Sequence, residues 1–389
     1  MGVSKMKADL KELFRQAEEM HPEMMKEWQF LVDRDCGPDC KEGVDRTVRD
    51  TADFLEAIGF SVRFHVYENA GNMLVAEYGD MNSPFVVLTG HLDTVFARGT
   101  VAGRPFAEEN GRVTGPGVLD MKGGITILLY VCKILAENGY DRYPLKIILA
   151  GDEETGHARS GAAGDYLKEA RGALMGFNLE TGFTDNRVIV ERKGVFQCRF
   201  DTEGIGAHAG NNPEDGRSAV RELSRKVWDI EELTDRTKGT NVNVGVFSGG
   251  TVANAVPEKA SCVVDVRFRT NAELERVQRG LEKIAASSYV EGTKTTYTPI
   301  VRVAAMEKLP GTDELFSRAE KAAEESGLPP MKADSVGGGS DSAYLTAAGV
   351  PTLCALGVKG QYNHTVREWA EESSLTERTK LMLALLMKL

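Results

Sequence analysis

The chain has 389 residues, a formal net charge of −11, 42% apolar residues and 27% charged ones. That length exceeds what one hydrophobic core normally fills, so two domains are expected. The acidic surplus excludes nucleic acid or an anionic membrane as the main partner, because both reward clustered Lys and Arg.

The opening residues, M-G-V-S-K-M-K-A-D-L-K, carry charges where a secretory segment needs an apolar run, and no apolar stretch approaches the roughly 20 residues of a membrane span. Six scattered cysteines at 36, 40, 132, 198, 262 and 354 read as reduced thiols, which fits a cytoplasmic protein. Cys36 and Cys40 in D-C-G-P-D-C have C-x3-C spacing and no second pair nearby, the pattern of a free-thiol loop.

Residues 4–20 have helical periodicity, with Leu10, Leu13 and Phe14 on one face and Pro22 just beyond the end. A second helix over 43–58 turns Val44, Val48, Ala52 and Leu55 to a core and stops at Gly59. Residues 60–67 and 72–78 alternate like the strands of a hairpin around Glu68-Asn69-Ala70-Gly71. Residues 85–90, F-V-V-L-T-G, form a buried strand that empties into His91-Leu92-Asp93. Further on, G-P-G-V-L-D-M-K-G-G at 115–124 runs into an apolar helix over 125–135. Its two glycines permit close backbone approach, and Asp120 at the helix mouth would by itself read as a plain N-cap. A second buried strand, L-K-I-I-L-A at 145–150, ends in Gly151-Asp152-Glu153-Glu154-Thr155-Gly156, and a third, 173–179, ends in Glu180-Thr181-Gly182.

From about residue 192 the pattern changes. Residues 192–202, 241–248, 260–269 and 294–303 are β-like, while 213–232 and 272–287 are helical, which makes a compact α+β unit. Buried-strand character returns at 351–356, followed by Tyr362-Asn363-His364 and a closing helix over 375–389. The expected division is 1–191 with 304–389, interrupted by an inserted domain over 192–303.

Ligands in open α/β sheets bind beyond the carboxyl ends of the strands, so three acidic or imidazole-bearing strand ends point to one polar site. Adjacent buried carboxylates repel one another and lose hydration unless a cation compensates them. His91, Asp120, Glu154, Glu180 and His364 are the expected metal ligands, a thiolate-free set suited to zinc, manganese or cobalt. Five ligands exceed what one catalytic zinc needs. They serve two metals roughly 3.5–4 Å apart if one carboxylate bridges, and Asp120 is the candidate. Glu153, beside Glu154, can stay free as general base, and Asp93 suits the role of accepting the second imidazole N–H of His91. His21, His65 and His157 lack a comparable setting and read as structural or surface residues.

G-H-L-D-T-V, G-P-G-V-L-D-M-K-G-G, D-E-E-T-G, N-L-E-T-G and Y-N-H, in that order, resemble the di-zinc aminoacylase, glutamate carboxypeptidase and dipeptidase family of co-catalytic metallopeptidases. The resemblance implies an α/β, mixed-sheet zinc-peptidase catalytic domain with an inserted ferredoxin-like lid and dimerisation domain. It implies two zinc ions, with Asp120 bridging, His91 and Glu180 on one metal, Glu154 and His364 on the other, Glu153 as base, and a cis peptide after Asp120. In the family a Glu at the Glu180 position accompanies aminoacylase, carboxypeptidase and deacetylase activity, whereas tripeptidases tend to carry Asp.

The same resemblance extends into the insert. G-I-G-A-H-A-G around His208 resembles the lid loop whose His reaches across a homodimer to stabilise the oxyanion. Asn254 and Arg267 match positions that hold substrate, Arg267 as a fork for the free α-carboxylate, and Gly338, Gly339 and Ser340 match a loop that offers backbone groups to it. G-G-G-S-D-S and the spacing from Asn254 to Arg267 resemble the glutamate-carboxypeptidase branch. The activity implied is metal-dependent cleavage of an amide bond in a small peptide, releasing an amino acid with a free carboxylate. The alternatives are dipeptidase action or deacylation of an N-acyl amino acid, of the aminoacylase, acetylornithine or succinyl-diaminopimelate type. Retention of all five ligands and the base argues against a non-catalytic scaffold.

Overall fold

The computed structural model describes residue 6 and residues 8–389. Of the first expected helix, residues 4, 5 and 7 lie outside the described residues. The helix observed is Leu10–Glu19, where the Asp9 side chain accepts the Glu12 N–H. Pro22 lies just beyond that helix, as expected, but the helix that follows was not read from the sequence. Pro22 sits in the first turn of this further helix, His21–Val32, where no N–H is needed.

The chain divides into two compact units, Met1–Val190 with Lys308–Ser335 and Ser340–Leu389, and Glu191–Glu307 with Val336–Gly339. The first unit is built on a six-stranded mixed sheet in the order Ser61–His65, Gly71–Tyr78, Leu145–Gly151, Phe85–His91, Ala173–Asn178, Thr352–Leu353. The last four run parallel, and the first two form the expected hairpin, with Gly71–Tyr78 antiparallel to Leu145–Gly151. Phe85–His91 is buried throughout, as a strand covered on both faces must be. Helix Gly123–Glu137 is apolar almost all round because the sheet lies on one side and helices His21–Val32 and Ser374–Lys388 on others.

The strand expected over 351–356 shrinks to Thr352–Leu353. Beyond it the backbone leaves the ladder, with Cys354 N–H bonding the Ile189 carbonyl and Gly357 N–H that of Glu180. Helices Ala163–Ala170, Thr312–Glu325 and Ser342–Ala347 add to those read from periodicity. No helix among the described residues is long and apolar enough to cross a membrane.

In the second unit the elements follow β-α-β-β-α-β order, with sheet order Asn241–Gly249, Lys259–Phe268, Gly194–Glu203, Lys294–Val303 and helices Ala219–Glu231 and Asn271–Ala286. This is the ferredoxin-like arrangement. The inner strand Lys259–Phe268 alternates buried and partly exposed residues, and Val264, Val266 and Phe268 join Leu223, Leu274 and Leu281 in a separate core. The helix expected over 213–232 begins only at Ala219. Pro213–Asp215 is a short 3-10 turn, and Ser218 caps the helix through its side chain.

Candidate metal centre

Three parallel strands of the first unit end at one level, which is why residues far apart in sequence meet. His91 stands opposite Ala150 on one side, and Thr89 opposite Asn178 on the other. Two bonds extend this alignment past the strand ends, Leu92 N–H to the Ala150 carbonyl at 2.8 Å and Leu179 N–H to that of Thr89 at 3.0 Å. His91, the Glu153-Glu154 turn and Glu180 therefore share the carboxyl edge of the sheet.

Asp120 arrives from a different element. Val118–Lys122 forms one wide π turn ahead of helix Gly123–Glu137, and Asp120 and Met121 depart from helical angles within it. The Asp120–Met121 peptide is cis. Asp120 is no N-cap, since no side chain caps this helix. Two glycines let the turn close on the sheet. A Cβ at Gly90 would lie 2.4 Å from Met121 Cε, and one at Gly124 only 1.9 Å from the Leu179 carbonyl oxygen.

The Asp120 carboxylate faces two imidazoles. Its Oδ1 lies 3.2 Å from His91 Nε2, and its Oδ2 lies 3.0 Å from His364 Nε2 and accepts from Asn363 Nδ2 at 2.9 Å. The donor atoms of His91, Asp120 and Glu180 lie within 4.8 Å of one another, as do those of Asp120, Glu154 and His364. Asp120 belongs to both groups. Glu153 belongs to neither, although its Oε2 is 4.0 Å from His91 Nε2. Glu154 Oε1 is buried and has no hydrogen-bond partner. A nitrogen and oxygen donor set with an open buried carboxylate oxygen fits divalent cations such as zinc, cobalt or manganese.

The electrostatics follow from crowding carboxylates in a buried place. Burial pushes the Glu153 carboxyl well above its usual range, with nearby Glu180, Asp341 and Glu154 adding to it and His91 opposing. Burial and Asp120 raise Glu154 to about 7. Burial would raise Asp120 too, yet the bonds from His364 and His91 hold it well below the carboxylate range. Bonds to Asp120 and Glu154 push His364 up to about 11. A cation requires the neutral imidazole, so binding must displace that proton. Cation affinity is accordingly expected to rise with pH below that value, about tenfold per pH unit for each displaced proton. Calorimetry in buffers of different ionisation enthalpy would measure the release, and an affinity independent of pH would contradict it.

Asp93 differs in detail from the expectation. His91 Nδ1 lies 3.0 Å from the Asp93 backbone carbonyl and 3.5 Å from its carboxylate. The carboxylate instead accepts the N–H groups of Glu153 at 3.1 Å and Glu154 at 3.0 Å. The acidic turn presents those two N–H groups to the strand end, so one residue holds both the imidazole and the turn.

Glu368 is a residue that sequence reasoning missed. It is buried, and its carboxylate accepts backbone N–H groups from Gly117 (3.2 Å), Leu119 (2.8 Å) and Asp120 (3.0 Å). Its one local signal is a position four residues after His364 in H-T-V-R-E, which is too little to distinguish it from a surface Glu. An amide in its place would set an NH2 group against those donors. Glu368→Gln is expected to weaken divalent-cation binding by about 10–100-fold, read by titrating Co2+ and following its visible absorption. Unchanged affinity would refute that role.

The second unit holds the remaining predicted residues except Ser340. His208 is exposed, and its Nδ1 accepts the N–H groups of Gly210 and Asn211, both at 3.1 Å, which puts the proton of the neutral ring on Nε2. His208 and Asn254 line one cavity of about 820 Å³. Arg267 is only partly available as a fork, because its Nε and Nη2 already bond Asp265 at 2.9 and 3.3 Å. The carbonyls of Gly338 and Gly339 accept from Arg192 at 3.3 Å. Ser340, on the first unit, turns its hydroxyl inward, 3.6 Å from Cys354 Sγ.

The model of peptidase family M20/M25/M40 matches residues 87–388. Carboxypeptidase G2 of Pseudomonas sp. (strain RS-16) is 27% identical over 386 residues, 97% of this chain and 92% of that protein. The succinyl-diaminopimelate desuccinylase of Methylobacterium nodulans is 28% identical over 356 residues, 85% of this chain and 87% of that one. Among solved structures, aminopeptidase PepT of Bacillus cereus superposes with a TM-score of 0.77 at 22% identity, covering 95% of this chain and 98% of that chain. At that identity the likeness concerns the fold.

Proposed function

The chain belongs to peptidase family M20/M25/M40, and on that premise we propose that it is a dinuclear-metal hydrolase of the carboxypeptidase kind. In this reading it releases a C-terminal amino acid with a free carboxylate, glutamate or similar, from a small peptide or acyl conjugate. The observation that carries the reading is the pair of three-residue donor groups sharing Asp120, with the Glu153 carboxylate beside them and outside both.

His91 and Glu180 would hold one cation and Glu154 and His364 the other, with Asp120 between them. Zinc is our choice for both, on the nitrogen and oxygen donor set. When bound, the cations polarise the scissile carbonyl and acidify an attacking water. The Glu153 carboxylate takes the proton of that water and returns it to the departing nitrogen. Asp93 holds the turn that aims it.

His208 offers Nε2–H to the developing oxyanion, a kind of contribution that can be worth roughly 2.7–4 kcal/mol. In our reading it does so from the partner of a homodimer formed through the inserted domain. Exposed apolar side chains on that domain, Trp228 at 75% and Val246 at 57%, support such a face. Arg267, Asn254 and the Gly338-Gly339-Ser340 loop would bind the substrate carboxylate. Six free thiols agree with a cytoplasmic location.

N-acyl-amino-acid deacylation is the second reading, favoured by the 28% identity to a desuccinylase over 85% of the chain. Elemental analysis coupled to amino-acid release from C-terminal-glutamate peptides, N-acyl amino acids and dipeptides separates the readings. Chelator-sensitive release with two metals per chain supports the hydrolase, and the preferred substrate selects the branch. Absence of tightly bound metal under metal-replete conditions would overturn both.

A further inference from the structure

His157 and Asp341 form a second buried pair in the first unit, outside both donor groups. Their side chains are 1% and 3% exposed, and His157 Nε2 lies 2.6 Å from Asp341 Oδ1. An ionised carboxylate only accepts, so Nε2 carries the proton of that bond. His157 Nδ1 and Asp341 Oδ2 have no protein partner, which leaves the Nε2–Oδ1 bond as the fastening between the two. Tyr166 and Tyr344 wall the imidazole, with ring centroids at 6.2 and 5.3 Å.

What this bond fastens is the acidic turn. His157 N–H closes the turn on the Asp152 carbonyl at 3.0 Å, and Gly156 N–H on that of Glu153 at 2.7 Å. Asp152 then collects Thr155 Oγ1 at 2.5 Å and the N–H groups of Arg159 and Ser160 at 3.2 and 2.8 Å. His157 itself has φ 59°, a left-handed backbone uncommon outside Gly, for which Asn, Asp and His are the favoured other residues. On the other side, Ser342 Oγ accepts from Asn178 Nδ2 at 2.9 Å, and Asn178 Oδ1 accepts the Glu180 N–H at 3.2 Å. One dipeptide, Asp341-Ser342, thus holds both the turn bearing Glu153 and Glu154 and the strand end bearing Glu180.

We propose that the His157–Asp341 pair is a positioning device that decides which of two adjacent glutamates faces the cations and which stays free. Glu153 and Glu154 are chemically identical neighbours, and a turn free to rotate would let Glu153 swing into a ligand position. Asp93 pins the start of the turn through its N–H groups, and His157 pins its end. The proposal rests on the reading of Glu153 as base.

Three variants test it. His157→Asn keeps a residue that tolerates the left-handed backbone but is too short to reach Asp341. Asp341→Ala removes the acceptor, and Asp341→Asn restores it. Metal content, kcat, KM and backbone hydrogen exchange over residues 152–161 are measured for each. H157N and D341A are expected to exchange faster over that segment and to lose about 10–100-fold in kcat, with KM within about threefold and metal content unchanged. D341N is expected to recover to within about threefold of the parent kcat. Wild-type kcat in H157N and D341A would overturn the proposal, and so would exchange unchanged in both. If D341A fails to fold, H157N against D341N decides the matter. If the parent protein releases no amino acid from any substrate, the hydrolase reading fails, and exchange alone decides whether the pair anchors the turn.

Discussion

Glu153→Gln is expected to lose about 100- to 10,000-fold in kcat while keeping its full metal content. The amide has nearly the same shape and volume as the acid, so the mostly buried site is neither emptied nor overfilled. It cannot accept a proton from water, and that is the function assigned to Glu153. Because Glu153 lies outside both groups of donors, its replacement leaves His91, Asp120 and Glu180, and Asp120, Glu154 and His364, intact. Elemental analysis and turnover on the same preparation separate the outcomes. Loss of metal together with activity would make Glu153 a ligand and remove it from the role of base. The parallel change Glu154→Gln should behave oppositely, losing metal first, because Glu154 lies 3.1 Å from His364 and carries an unpartnered buried oxygen.

Asp120→Ala is the second large effect, and it should abolish metal binding and turnover together. Asp120 is the only residue shared by both donor groups, and each of its oxygens faces a different imidazole. Its loss removes a donor from both groups and brings His91 and His364 out of their common alignment. The penalty should exceed the roughly 10–100-fold in affinity that follows when a ligand's supporting partner is changed. Metal stoichiometry by elemental analysis is the direct measurement. A variant that kept two ions per chain would show that Asp120 does not bridge. The two experiments are complementary, since one removes chemistry without metal and the other removes metal and chemistry together.

Much of the site was legible because its signals are local. A buried strand that runs into acidic residues is conspicuous within ten residues, and three such strands with a glycine-framed Asp120 nearly define the ligand set. The βαββαβ insert was legible for the same reason, since period-2 and period-3.6 stretches alternate within it. Local periodicity missed the helix His21–Val32, which starts directly after the first helix ends and holds Pro22 in its first turn. It also overran at 351–356, where backbone bonds to Ile189 and Glu180 pull the chain out of the sheet.

By itself, then, the sequence determined the fold class and the alternation of elements in the insert, and it singled out the residues proposed as donors, because these depend on hydrophobic period and on side-chain type. Only the tertiary structure decided how the donors are held. Glu368 reaches Asp120 across 248 residues of chain, and Asp341 reaches His157 across 184. Neither partner differs in type from an ordinary surface Glu or a lone His, so no local pattern distinguishes them. Their meaning comes from burial and from the hydrogen-bond partners that the fold brings to each, and these exist only once the strands, turn and closing segment have packed together.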